Sequence, residues 1–296
     1  MKRLLVFLCF FSSIFLANSQ EIPFEKNEVD EIVDDLLIED SFNDLLISLT
    51  NFHFLYFSLN YSSDTYFSGR AIDVDQFNLT PQITYMNSKG FYASISSIIY
   101  SEFIPHWDVT NATVGYGKNV GKDKIFRFYG SLSGYLYSNN DVEGLYNGTA
   151  NAGIGIQNKK RTLGTQISGS YYFGGESTFQ IVSRSYASLK LLKTPKHSLK
   201  FRPQLSFITG TQLVDIGSLP LQKEALIKET QANDVNLTSN VYALIYTQLN
   251  FPLQYNYKSL DFEVGYNLNI PNALENETDL KNTGFFNIAI GYLIDL

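Results

Sequence analysis

Residues 284–296 read GFFNIAIGYLIDL, and this stretch decides the fold. One set of alternate positions is large and apolar: Phe286, Ile288, Ile290, Tyr292, Ile294 and Leu296. The positions between them include the smaller or polar Asn287, Ala289, Gly291 and Asp295. Successive side chains of a β-strand point to opposite faces, so the stretch predicts a strand with one apolar and one polar face.

The same alternation recurs along the chain and predicts twelve strands. We place them at residues 51–61, 73–86, 91–101, 107–117, 125–138, 145–157, 162–173, 177–192, 198–212, 239–255, 260–270 and 284–296. Most are much longer than the roughly 5–6 residues of a typical globular strand. Tilted strands of about 9–11 residues cross the core of a bilayer, so this length favours a membrane.

The connections between the predicted strands fall into two chemical classes. The short ones, at 87–90, 118–124, 158–161, 193–197 and 256–259, carry ten Lys or Arg and one acid. The more variable ones, at 62–72, 102–106, 139–144, 174–176, 213–238 and 271–283, carry twelve acids and four bases. In an up-and-down meander every second connection lies at the same end, so the sequence predicts a basic rim and an acidic rim.

A soluble β-sandwich would also alternate, but its solvent face would carry many Lys and Glu. Here the polar face is mainly Ser, Thr, Asn, Gln, Gly and Tyr, which suits an enclosed wet lumen. In hydrocarbon, strands satisfy every backbone N–H and C=O only by closing into a barrel. We therefore expect an all-β fold, a twelve-stranded antiparallel transmembrane β-barrel over residues 49–296, with a short acidic helical N-terminal segment.

The composition excludes several classes of protein. The chain has 296 residues, of which 44% are hydrophobic and 17% charged, with three His and one cysteine, Cys9. Beyond the first 17 residues no apolar run approaches the roughly 18–20 residues of a spanning helix. Thiolate metal sites, disulfides and a cysteine nucleophile are excluded for a mature chain without Cys9. We expect no cofactor, no metal and no nucleic-acid partner.

Two segments precede the predicted barrel. Lys2 and Arg3, an apolar stretch at 4–16 and small residues before position 20 predict a signal peptide over 1–19. Residues 21–48 then carry ten acids and the single base Lys26, a net charge of −9. The apolar residues of this acidic segment follow helical spacing: Val29, Ile32, Val33, Leu36, Leu37, and after a break Phe42, Leu45, Leu46 and Leu49. Residues 20–48 are thus predicted to be either a periplasmic helix at the barrel mouth or a plug in the lumen.

The chain resembles outer-membrane β-barrel proteins of Gram-negative bacteria in its signal peptide, twelve-strand meander and closing strand. Its signal and its Asn- and Tyr-rich strands are similar to those of members from Bacteroidota. The resemblance covers about 245 residues and is architectural, without a catalytic motif. It implies a place in the outer membrane, contact with its lipid, and recognition of the last strand by the barrel-assembly machinery. Such strands commonly end in Phe, whereas this sequence has Leu296 in that register.

Alternation also predicts which charges face the lumen. They are Arg127, Arg184, Lys190, Lys200, Arg202, Asp261, Glu263 and Asp295. A charge inside a barrel must be paired or hydrated. These residues predict an internal ion-pair network that makes the barrel rigid, or else a selectivity ring or a dock for the acidic segment.

Three functions remain open at this point. The first is a narrow or gated pore for small solutes, without chemistry of its own. The second is a non-conducting structural or interaction barrel that presents external loops at 213–238 and 271–283. The third and least favoured is an outer-membrane lipid or peptide hydrolase using His106, Ser101 and Asn111, whose spacing matches no hydrolase motif.

Overall fold

The computed structural model describes residues 53–67, 70–71, 74–102, 106–138, 146–175, 177–194, 197–211, 242–273 and 280–296. The predicted signal peptide, the acidic segment and the loop at 213–238 lie outside these ranges, as do residues 274–279 of the last loop. Among the described residues there is no helix of the length and apolarity needed to cross a membrane.

Twelve antiparallel strands make up the described part of the chain. They are β1 His53–Ser62, β2 Asn78–Asn87, β3 Phe91–Tyr100, β4 Trp107–Val120, β5 Phe126–Tyr137, β6 Tyr146–Gln157, β7 Leu163–Gly174, β8 Thr178–Ala187 with Leu189–Lys193, β9 His197–Phe201 with Gln204–Thr211, β10 Tyr242–Asn250 with Leu253–Tyr257, β11 Leu260–Pro271 and β12 Thr283–Asp295. A two-residue hairpin (Tyr66–Phe67 and Arg70–Ala71) follows β1, and a single 3-10 turn, Lys122–Lys124, precedes β5.

The sheet closes on itself. Each strand pairs with the next one along the chain, and β12 pairs with both β11 and β1. The closing register runs from Phe54 opposite Asp295 to Ser62 opposite Asn287. Over the described strands, closure leaves a sheet edge only at Leu189–Lys193, the part of β8 that extends past β7. The predicted fold class, a twelve-stranded antiparallel barrel, is confirmed.

Three strands predicted to be continuous are interrupted, at Ser188 in β8, at 202–203 in β9 and at 251–252 in β10. Pro203 and Pro252 occupy the breaks in β9 and β10, and proline has no N–H to give to the ladder. The carbonyl groups of these prolines still accept bonds from the N–H groups of Ala187 and Arg202, both at 3.1 Å. The interruptions therefore lie side by side in one sector of the wall, and these hydrogen bonds keep its strands joined.

The two faces of the barrel differ as the alternation predicts. The outward residues of β12 are exposed, with Phe286 at 58% and Ile290 at 47%, and Leu132 on β5 is at 58%. The inward positions hold mostly amides, hydroxyls, glycines, tyrosines and charges. An apolar band around the whole outer wall requires lipid, since soluble proteins do not expose apolar area on this scale. The molecule is a transmembrane β-barrel.

The short turns lie at one end of the barrel, because each of them joins two neighbouring antiparallel strands. His53 and Leu296 lie at the same end. Described cations of this rim include Lys89, Lys118, Lys159 and Lys258, and Lys159 pairs with Asp123 at 3.0 Å. The predicted basic rim is therefore formed. The opposite rim carries the long connections.

Candidate functional site

The eight charges predicted to face the lumen are not equivalent. Arg127, Lys200, Arg202, Asp261 and Glu263 are buried on the inner face. Arg184 is half-buried and on the same face, because it pairs with the buried Gln166 and Ser206.

The two remaining charges lie at the short-turn rim. Lys190 is exposed and lies beyond Ala187, the last β8 residue that pairs with β7. It pairs with the buried Lys200 across β8 and β9 and so shares its face, but it is exposed at the rim, where β7 no longer pairs with β8. Asp295 is half-buried at the end of β12, opposite Phe54. The interior charges are therefore four cations and two acids.

The four cations, which we call the basic arc, are Arg127 on β5, Arg184 on β8 and Lys200 with Arg202 on or just after the first part of β9. One row of directly paired inward residues joins two of them, running Arg127, Gly155, Gln166, Arg184 and Ser206 across five strands. Arg127 Nη1 donates to Gln166 Oε1 at 3.4 Å, and Arg184 Nε donates to Ser206 Oγ at 3.0 Å. Neutral amide and hydroxyl groups thus hold these guanidinium groups along the wall.

Arg202 is positioned by the interrupted sector. Its guanidinium carbon lies 3.9 Å from the centre of the Tyr186 ring, a cation–π contact. Tyr186 in turn lies over Gly164, its direct partner on β7, and donates its hydroxyl to Gln157 Oε1 at 3.2 Å. The break at Pro203 and the stacked tyrosine together fix where this cation lies on the inner wall.

The two acids, which we call the acidic pair, are held by donors from three other strands. Tyr56 Oη donates to both carboxylate oxygens of Asp261, at 3.0 and 3.2 Å. Glu263 accepts from Gln254 Nε2 at 3.1 Å and from Asn287 Nδ2 at 2.9 Å. A buried carboxylate is tolerated only with such donors. The network joins β1, β10, β11 and β12, and therefore spans the seam where the barrel closes.

The basic arc and the acidic pair are neighbours on the wall. Lys200 pairs with Gln254, and Gln254 pairs with Glu263, so one strand separates the two charges. Strands are about 4.8 Å apart, which puts the two backbones about 10 Å from each other. Positive charge thus extends from β5 to β9, and negative charge follows on β11. Such an arrangement produces an electric field that points across the lumen, from one side of the wall to the other, and not only along the barrel axis.

Three tyrosines of the inner wall lie flat over glycines, which sequence reasoning missed. Tyr92, Tyr129 and Tyr186 face Gly115, Gly153 and Gly164, each pair directly opposite in neighbouring strands. A Cβ at any of these glycines would overlap the tyrosine ring. The sequence does place these glycines on the polar face of their strands. Which tyrosine lies opposite each glycine is known only from the register.

Near the short-turn rim the inner wall also has an apolar patch, made of Phe54, Met86 and Leu293. Phe54 pairs with Met86, and Tyr56 pairs with Leu293, so the patch lies on β12, β1 and β2. All three apolar side chains are buried. The alternation predicts a polar inner face throughout, and this patch departs from that prediction. We call it the inner apolar patch.

A cavity of about 230 Å³ lies at the other mouth. Its lining is mostly hydroxyl and amide groups, and includes Asn78, Tyr100, Gln248 and Asn269. Gln248 Nε2 donates to Asn269 Oδ1 at 2.9 Å, and Asn269 Nδ2 donates to Thr283 Oγ1 at 3.2 Å. Asp64 is the charged residue of this lining, whereas the section below it has six interior charges.

The histidines each make a local hydrogen bond. Nδ1 of His53 lies 2.6 Å from the Tyr85 hydroxyl, and Nδ1 of His197 lies 2.7 Å from that of Tyr255. Nδ1 of His106 lies 3.0 Å from the carbonyl oxygen of Tyr100. Asn111, imagined with His106 as part of a hydrolase site, accepts from Thr113 Oγ1 at 3.3 Å. The described contacts thus place His106 and Asn111 in separate interactions.

The sequence matches no protein-family model and no curated protein. Solved structures with a similar fold include the NanC porin, with 13% identity, a TM-score of 0.43, and coverage of 80% of this chain and 98% of that one. The KdgM porin has 10% identity, a TM-score of 0.45 and coverage of 81% and 98%. An outer membrane channel from Pseudomonas putida F1 has 8% identity, a TM-score of 0.43 and coverage of 82% and 95%.

Proposed function

We propose that this protein is a narrow outer-membrane pore that passes small hydrophilic solutes, and that it carries out no chemistry of its own. The observation that carries the proposal is the closed wall with an apolar outside and a polar inside, which is the arrangement of a water-filled barrel in lipid. Twelve strands enclose a lumen narrower than that of the 16–18-stranded porins, so the side chains of the inner wall decide what passes.

The basic arc and the acidic pair together form the selective section of this pore. Four inward cations against two inward acids favour anions in the lumen. The neighbouring placement of the two groups also orients solutes that carry both charges, because each end of such a solute is drawn to a different part of the wall. A solute that enters from the other side would first meet the acidic connections of that rim and the polar cavity.

Planar-bilayer recording of the refolded chain 20–296 tests the proposal. We expect stepwise conductance and a reversal potential that indicates a preference for anions. Replacing Arg127 and Arg202 by glutamate should shift the reversal potential toward cation preference, whereas the outward change Phe128→Leu should leave it unaltered. Absence of steps in every variant would refute the pore and favour a non-conducting interaction barrel.

Assembly of the barrel in the membrane is the second part of the proposal. We propose that the assembly machinery recognises the outward side chains of β12, which include Tyr292, Ile294 and Leu296. The contacts of β12 with both β1 and β11 support this, because β12 is the strand that joins the two ends of the sheet.

A further inference from the structure

We propose that the part of β8 that extends past β7, Leu189–Lys193, binds an extended acidic segment of another protein, which joins the barrel sheet as one more strand. We call this part of β8 the free edge. The inference concerns an interaction surface and does not depend on conduction through the pore. The short turns of outer-membrane barrels lie on the periplasmic side, so we expect the partner there.

The turn between β6 and β7 leaves this edge without a neighbouring strand. Arg161 has a left-handed backbone conformation, with φ of 52°, which turns the chain away from β8. The side chain of Asn158 holds the turn, because its Oδ1 accepts from the N–H of Thr162 at 2.8 Å. Ser188 N–H donates to the carbonyl oxygen of Thr162 at 2.7 Å, and beyond this bond the described part of β7 no longer pairs with β8.

The free edge has main-chain hydrogen-bonding groups on the side away from β9. Successive residues of a strand direct their N–H and C=O groups to opposite sides. Since Ser188 donates toward β7, Lys190 directs its N–H and C=O to the same side, where β7 has ended. The other side is paired with β9, beginning with Leu189 opposite Phe201. An added strand would supply main-chain partners for the groups on the free side, which is how extended peptides bind to exposed sheet edges.

The side chains of the free edge indicate the chemistry of the partner. Lys190 and Lys193 lie on the inner face, since the β9 residues with which they pair are buried. Leu189 and Leu192 lie on the outer face and are 53% and 48% exposed. Directly opposite residues of neighbouring strands stabilise the sheet when their charges are opposite or when both are apolar. The partner strand should therefore alternate, with acids on the face of the lysines and apolar residues on the face of the leucines.

Charge favours an acidic partner over a second copy of the chain. Lys159, Lys160 and Arg161 lie in the turn beside the free edge, which adds to its positive charge, and Asp123 pairs with Lys159 at 3.0 Å. Two free edges brought together would place lysines near lysines, and lysine on an edge strand is a common means by which proteins prevent such contacts. An acidic strand would be attracted to the same lysines.

Binding of a synthetic peptide to the refolded chain 20–296 in detergent micelles tests the proposal. The probe is a fluorescently labelled peptide of alternating glutamate and valine, and its affinity is measured by fluorescence anisotropy. We expect Lys190→Glu with Lys193→Glu to weaken binding at least about tenfold, because attractive cross-strand pairs become repulsive. Both lysines are exposed, so the fold should be retained.

Lysines elsewhere on the same rim provide a matched control. Lys89 lies in the turn between β2 and β3, and Lys118 lies near the end of β4, and these three strands are paired on both sides. Lys89→Glu with Lys118→Glu makes the same change of net charge as the test variant. It should leave the affinity for the peptide unchanged, because no free edge lies beside these lysines among the described strands.

Amide hydrogen exchange distinguishes addition of a strand from attraction between charges alone. The N–H of Lys190 should exchange freely before the peptide is added, and at least about tenfold more slowly with the peptide bound. A peptide of the same sequence with N-methylated main-chain amides keeps its charge but cannot form a ladder. This peptide should leave the exchange of Lys190 unchanged and should bind at least about tenfold more weakly.

Four outcomes would overturn the proposal. Slow exchange of the Lys190 N–H before any peptide is added, in a monomer, would show that another part of the chain covers the edge. The same slow exchange in a dimer would show that a second copy covers it. Equal binding of the N-methylated peptide would show adsorption to a basic rim, and no binding of the acidic peptide would show that the edge does not accept such a strand. None of these measurements uses conductance, so their failure leaves the proposed pore untouched.

Discussion

Tyr56 and Asp261 are 205 positions apart in the chain, yet their side chains meet in the lumen. Both are almost completely buried, and the tyrosine hydroxyl donates a hydrogen bond to that carboxylate. The alternation predicted that Asp261 faces inward, but it could not predict its partner. Pairing across the seam depends on the register of β1 against β12 and of β12 against β11, which no local pattern contains.

Removing the Tyr56 hydroxyl tests the value of this contact. Tyr56→Phe should lower the free energy of unfolding by about 1–3 kcal/mol, because a buried charged acceptor loses its donor. The measurement is urea unfolding of the protein folded in detergent micelles. Tyr292→Phe, which removes a hydroxyl on the outward face, is the control.

A double-mutant cycle separates this hydrogen bond from general packing. Adding Asp261→Asn to Tyr56→Phe should cost less than the sum of the two single changes, because an amide without its donor is less unfavourable than a carboxylate. Equal urea midpoints for Tyr56→Phe and Tyr292→Phe would contradict a stabilising hydrogen bond from Tyr56 to Asp261.

At the scale of strands, the sequence predicted most of what the structure has. All twelve strands lie where the period of two placed them, and their ends differ by a few residues. The exceptions have local causes. Pro203 and Pro252 remove ladder donors, so two predicted strands are interrupted. β8 continues past its neighbour β7, so Lys190 is exposed at the rim. The period of two predicts the face on which a side chain lies. It does not predict whether the neighbouring strand extends as far as that residue.

The tyrosine–glycine pairs connect neighbouring strands, and one of them offers a matched test. Gly153→Ala should lower stability by about 1–3 kcal/mol, because its Cβ would overlap the Tyr129 ring and force it to move. Gly130→Ala, one residue after Tyr129, is the control, since a Cβ there would lie 3.4 Å from the nearest atom, an ordinary contact.

Urea unfolding in detergent micelles would again be the measurement. Combining Gly153→Ala with Tyr129→Ala should relieve the overlap, so the second change should cost less in the Gly153→Ala background than in the parent. Equal free energies of unfolding for Gly153→Ala and Gly130→Ala would show that the Tyr129 ring does not require a glycine opposite it.

For the whole molecule, the decisive property is the contrast between the outer and inner walls. The sequence predicted this contrast and the asymmetry of the rims, because both follow from alternation and from the order of turns. It could not predict the inner apolar patch, since only the register of β12, β1 and β2 shows that Phe54, Met86 and Leu293 are neighbours. Nor could it predict that the basic arc and the acidic pair become neighbours, which is a consequence of closure.

Cysteine labelling along β5 tests this contrast most directly. Single cysteines at Ser131, Leu132, Ser133 and Leu136 would be treated, in liposomes, with a charged thiol reagent that does not enter lipid. We predict modification at positions 131 and 133, which face a wet lumen, and protection at positions 132 and 136, which face hydrocarbon. Modification of 132 and 136 with protection of 131 and 133 would show that the apolar wall faces water, and would contradict the transmembrane barrel.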